Sequence, residues 1–177
     1  SDRTIRLWDT ATGMQMSVLR GHEYGTTRLA FDSEGTTLAS VGRDNIIRLW
    51  DVASGSLLRV LRGHEGIVSS LHFNPDSRTL VSGSEDGTIR FWDLDSNEKL
   101  TTLDHGSYVR ELIYSADGSR IASIDHSSIS IWDTATNDKV LDIPVPPTQY
   151  QSKSLCLDSR GTRVASAGGP DHAIYIW

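Results

Sequence analysis

A single cysteine, Cys156, is all the thiol chemistry in 177 residues. No disulfide can form within the chain and no cysteine-built zinc cluster is available. Cys156 lies in an apolar run between Leu155 and Leu157, so a reducing compartment is expected: intracellular, with the cytoplasm favoured and the nucleus left open. No apolar run approaches the ~20 residues of a membrane-spanning helix, and Ser1-Asp2-Arg3-Thr4 lacks the charged-then-apolar order of a signal peptide; no membrane partner is expected. Runs of Lys or Arg are also missing. With a formal charge of −6 and a pI of about 5.4, the chain has no basic stripe for nucleic acid. No stretch holds a helical period, so no glycine-rich loop can precede a helix to cradle a phosphate.

What is present is a repeat. Trp8-Asp9, Trp50-Asp51, Trp92-Asp93 and Trp132-Asp133 recur, followed by Trp177, and the tryptophans stand 42, 42, 40 and 45 residues apart. A period near ~40–45 residues ending in Trp-Asp marks a β-propeller array, in which small sheets stack because none can bury both its faces alone. The predicted fold class is therefore all-β, built of four-stranded antiparallel blades: a partial one over 1–20, complete ones over 21–62, 63–103 and 104–145, and a partial one over 146–177. Closed propellers use ~4–8 blades, so the chain is expected to be a segment of a longer array. If it were complete, its unpaired edges would instead predict edge-to-edge self-association.

The third unit reads most clearly. Ile67 to Phe73, Thr79 to Ser84, Thr88 to Asp93 and Lys99 to Leu103 alternate as half-buried strands must. Between the second and third lies Glu85-Asp86-Gly87, a tight-turn signal because Asp and Gly both tolerate positive φ. The unit before it has the same grammar, with Arg43-Asp44-Asn45 at that turn. At the C-terminal end three strands are expected: Lys153 to Leu157, Arg163 to Ala167 and Ala173 to Trp177.

Gly21-His22 followed by Trp50-Asp51, and Gly63-His64 followed by Trp92-Asp93, resemble the WD-repeat family of β-propellers, and the likeness runs along the whole chain. It implies a buried hydrogen-bonded set in each repeat: His22, Ser40, Asp44 and Trp50, then His64, Ser82, Asp86 and Trp92. In both, His precedes Ser by 18 residues and Asp precedes Trp by 6. A carboxylate then orients the imidazole, the imidazole meets the hydroxyl, and the hydroxyl meets the indole. The next unit keeps His105, Ser123 and Trp132 but has a shorter turn, Asp125-His126-Ser127, so Asp125 is expected to miss His105. In the last unit Thr148 stands where a His would fall, and Ser166 and Asp171 are one residue further apart. These blades are expected to be less rigid.

A Ser-His-Asp set is also the vocabulary of hydrolases. However, G-x-S-x-G is absent and the set recurs nearly intact, which suits a structural device and not one active site. No catalytic residue, metal ligand or cofactor is assigned. The six histidines include no H-E-x-x-H pair. Asp93-Leu94-Asp95-Ser96-Asn97 opens like a calcium loop, but Glu98 replaces the required glycine, and a solvated turn is expected. Arg6, Arg48 and Arg90, each two residues before a Trp, are expected to pack their stems between blades with the heads at a rim. Pro144, Pro146 and Pro147 read as a stiff connector and less readily as a proline-rich ligand.

The resemblance further implies a docking face around the mouth of the central channel. By position it comprises Gly25, Thr27 and Arg43; Ile67, Ser69 and Glu85; Tyr108, Arg110 and Asp125; and Gln151 with Lys153. The expected function is a non-catalytic protein–protein interaction scaffold that binds a peptide or protein domain on that face. The alternative is a ligand-sensing array of a larger signalling or NTPase protein whose catalytic domain lies elsewhere.

Overall fold

A computed structural model describes residues 2–96, 99–145, 154–167 and 174–177. The expected Gln151 and Lys153 face positions, and Thr148, Pro146, Pro147, Asp171, Asn97 and Glu98, lie outside the described residues. The described chain is all-β, in five antiparallel sheets. The first holds β1 (Thr4–Trp8) and β2 (Gln15–Arg20). Three four-stranded blades follow: β3 (Thr26–Phe31) to β6 (Leu57–Leu61) through β4 (Thr37–Gly42) and β5 (Ile47–Asp51); β7 (Val68–Phe73) to β10 (Lys99–Asp104) through β8 (Thr79–Ser84) and β9 (Thr88–Asp93); and β11 (Glu111–Tyr114) to β14 (Lys139–Pro144) through β12 (Arg120–Ile124) and β13 (Ser128–Asp133). The last sheet has β15 (Ser154–Leu157), β16 (Val164–Ala167) and β17 (Ile174–Ile176). Within each blade the strands follow chain order, as short hairpins dictate.

Strand alternation sends successive side chains to opposite faces, and each face is buried against the next sheet rather than within its own. Ile5, Leu7 and Leu19 of the first sheet pack on Leu38 and Trp50 of the second. Ala39, Val41, Ile47 and Leu49 from the other face of that second sheet meet Leu71, Leu80 and Trp92. Val81, Ile89 and Phe91 meet Leu112, Ile121 and Trp132, and Ala122, Ile129 and Ile131 meet Leu155 and Val164. Each buried tryptophan thus reaches back to the preceding sheet. The first strands β3, β7, β11 and β15 run side by side along the stack.

Every outer strand carries a bulge opposite the residue before the tryptophan, so that Met16, Leu58, Leu100 and Val140 have no cross-strand partner. All four are about half exposed. Irregular outer strands protect a sheet edge from pairing with other chains.

Ile67 precedes β7 and is half-buried. Cys156 lies in an apolar run, but strand alternation points it outward and it is exposed.

Candidate interaction face and its hydrogen-bonded support

The blade over β7–β10 shows how the tight turn is held. The Trp92 indole N–H donates to Ser82 Oγ at 2.9 Å, and Ser82 Oγ lies 2.7 Å from His64 Nε2. The serine oxygen accepts the indole, so its single proton goes to Nε2. This leaves His64 Nδ1–H to donate to Asp86 Oδ2, 2.8 Å away. Asp86 also accepts the backbone N–H of Glu65 at 3.0 Å, that of Thr88 at 2.9 Å and the Thr88 hydroxyl at 2.6 Å. Burial alone would raise the Asp86 carboxyl, but the Thr88 and His64 hydrogen bonds outweigh it and hold the group well below the usual carboxylate range. Gly87 takes the left-handed turn position with φ +80, and Asn45 takes it in the preceding blade with φ 58.

In the β3–β6 blade, Trp50 donates to Ser40 Oγ at 2.8 Å, Ser40 Oγ lies 2.8 Å from His22 Nε2, and His22 Nδ1 is 3.1 Å from Asp44 Oδ2. Arg48 joins this set, donating to Asp44 Oδ2 at 2.7 Å with Nη1 2.8 Å from His22 Nδ1. The rim reading is therefore corrected for Arg48. Arg48 is only 7% exposed and its head is inside the network. Arg90 comes to 4.0 Å of Asp86, and Arg6 pairs with Asp2 at 2.9 Å on an exposed surface. The missed signal was an Asp four residues before each Arg, which places both on one side of a hairpin.

The β11–β14 blade departs from this pattern. Trp132 still donates to Ser123 Oγ at 2.8 Å. His105, although buried, has no hydrogen-bond partner at either ring nitrogen among the described residues, and Nδ1 stands 3.9 Å from Asp125. The cause is register. Asp44 and Asp86 follow their serine by four residues, whereas Asp125 follows Ser123 by two and so occupies the position of Gly42 and Ser84. Its carboxylate instead accepts the Ser107 hydroxyl at 2.5 Å and the backbone N–H groups of Ser127 at 2.6 Å and Ser128 at 2.7 Å. Burial opposes ionisation there, but these donors, Ser107 foremost, hold Asp125 at about 2. Being 6% exposed, Asp125 is a buried turn anchor and not the docking residue expected.

The other expected face positions gather where these turns meet the entries to the first strands. The Arg43 N–H donates to Gly25 O at 3.3 Å, and the Glu85 N–H to Ile67 O at 2.9 Å. The Thr27 hydroxyl donates to Val41 O at 3.2 Å. The Ser69 hydroxyl reaches Gly83 O at 3.1 Å and also Val109 O in the next blade. Tyr108 donates to Glu85 Oε1 at 3.0 Å, and the Arg110 guanidinium carbon stands 5.6 Å from the Tyr108 ring centre. Arg43 and Glu85 are exposed, Tyr108 is 38% exposed, and Gly25, Thr27, Ile67, Ser69 and Arg110 are half-buried. Gly25, Thr27 and Ser69 thus act mainly as scaffold of this face, while Arg43, Glu85, Tyr108 and Arg110 present polar groups upon it. The Asp93 carboxylate of the calcium-like loop accepts the backbone N–H of Asp95 at 2.7 Å and of Ser96 at 3.0 Å, as a simple turn.

Four-stranded sheets stacked face to face, each with a Trp–Ser hydrogen bond that extends to His and Asp in the β3–β6 and β7–β10 blades, define the blades of a β-propeller. A family model for the WD40 repeat (WD domain, G-beta repeat) matches residues 13–51 and 55–93. These two segments are similar to that repeat, and such repeats generally serve as protein-interaction scaffolds and are typically non-catalytic.

Proposed function

We propose that this protein is a non-catalytic scaffold that binds a peptide or a protein domain on the loop face bearing Arg43, Glu85, Tyr108 and Arg110. The observation that carries the reading is the contrast in burial within one turn. Asp86 is locked into the blade by four donors, while its neighbour Glu85 and the adjoining Tyr108 face solvent. Loops held on a rigid frame are where recognition concentrates, and Tyr and Arg are the side chains enriched at binding hot spots. The Ser-His-Asp sets support a structural role, since their serines are completely buried and already accept an indole N–H. The exposed thiol of Cys156 fits a reducing, intracellular setting.

Selection of a random peptide library on the purified protein tests the reading. Enriched peptides should lose about tenfold or more in affinity on Tyr108→Ala and be indifferent to Leu58→Ala on the rim. Peptides insensitive to Tyr108, Arg43 and Arg110 but sensitive to rim changes would overturn it.

A further inference from the structure

The loop face holds more positive charge than an acidic chain would lead one to expect. Arg28 in β3, Arg43 in the turn after β4 and Arg110 before β11 form no ion pair among the described residues, whereas Arg48, Arg90 and Arg120 each meet an aspartate. Arg28 is exposed, and its one recorded hydrogen bond is to a neighbouring backbone oxygen, Thr27 O, at 3.0 Å. Strand β3 packs beside β7, and β7 beside β11, so Arg28 stands in the row of first strands that leads to Arg110 and Glu111, and its charge reaches Tyr108 and Glu111. Arg110 lies beside the Tyr108 ring, and its Nε is buried without a partner.

The acids at this spot are recessed or engaged. Glu111 has its Oε2 buried and unpartnered, and burial raises its carboxyl against the pull of Arg28. Glu85 is engaged as acceptor of the Tyr108 hydroxyl. That contact also shows the chemistry the spot accommodates: a carboxylate beside a phenol hydroxyl, with two guanidiniums near.

Building on the interaction-face reading above, we propose that the spot formed by Arg28, Tyr108 and Arg110 binds an acidic peptide. A ligand carboxylate is held by the two guanidiniums through charge-assisted hydrogen bonds. The Tyr108 ring supports the adjoining side chain of the peptide. Glu85 is the resident competitor for the tyrosine hydroxyl.

Fluorescence anisotropy with labelled short peptides of alternating Asp and Gly, Asn and Gly, or Lys and Gly, and with oligo-dT, decides the matter. The Asp peptide should bind, with affinity falling as salt rises, and the Asn and Lys peptides should not. Arg28→Gln and Arg110→Gln should each weaken it by about tenfold, Glu85→Gln should strengthen it, and Arg62→Gln on the exposed surface should leave it unchanged. Equal binding of Asp and Asn peptides overturns the proposal, as does oligo-dT binding more tightly through the same arginines, which would assign the spot to nucleic acid. If the Asn or Lys peptide binds in a Tyr108-dependent way, the carboxylate preference is wrong and the interaction face stands. If no probe binds and the peptide library yields nothing, both fall together.

Discussion

The blades over β7–β10 and β11–β14 share a four-stranded order, a tryptophan anchor and a buried histidine 18 residues before a buried serine, yet only one connects its histidine. His64 bridges Ser82 and Asp86, while His105 sits between similar groups and bonds to neither. A two-residue shift of one aspartate separates them. The His105–Trp132 interplanar angle is 40° where the His64–Trp92 angle is 65°. The lesson is that a polar set depends on register: one displaced aspartate leaves a buried imidazole with no hydrogen bond to its serine or its aspartate.

The sharpest way to break the comparison is to delete both histidines separately. His64→Leu leaves Asp86 and Ser82 each short of a partner and should cost about 1–3 kcal/mol. His105→Leu removes an imidazole that has no hydrogen bond and should be neutral or stabilising; equal losses in urea denaturation would refute the difference. Next in size is the aspartate pair. Asp86→Ala should cost about 1–3 kcal/mol. From the sequence, Asp125→Ala is expected to cost less because its histidine contact fails. The structure revises that reason, since Asp125 has its own donors in Ser107, Ser127 and Ser128. Its loss should therefore register as disorder of the 125–128 turn, visible as faster amide exchange there, while the His105 side chain is unaffected.

Acidification should act on both blades in one direction. His22, His64 and His105 are all held below the ordinary imidazole value of 6.5 by burial, which their aspartates only partly offset. The unfolded chain therefore takes up protons first, and stability should begin to fall as pH drops below ~6.5. A second loss should follow below the ordinary carboxylate value of 3.8, ending for Asp125 near its depressed value of about 2. Thermal melts across this range should show the first decline shrink in His105→Leu. The smallest expected effect is on the rim. Leu58→Thr at an unpaired bulge should change stability by no more than about 0.5 kcal/mol, and a larger loss would mean that the bulge residues are packed after all.

Much of the fold was legible because the repeat constrains it at several levels. The Trp-Asp period set the blades, alternation set the strands to within a residue or two, and Asp86-Gly87 and Asp44-Asn45 marked tight turns by their tolerance of positive φ. The loop face was legible only as a set of positions. Asp125 was read as a face residue because position within a repeat was used where register decides, and the arginines were sent to a rim because an isolated side chain carries no record of its partner.

The sequence by itself determined what depends on spacing along the chain: an all-β array, the 18-residue interval from His to Ser in each complete blade, and the shortened turn of the β11–β14 blade. Only the tertiary structure decided what depends on distance through space. It put the Arg48 head beside Asp44, left His105 without a partner, turned Cys156 outward, and set Tyr108 against Glu85 of the preceding blade's turn. The reason is physical. Local propensity and alternation act between near neighbours in sequence, whereas charge and hydrogen bonding act over a few ångströms between whatever residues the stacking of sheets brings together.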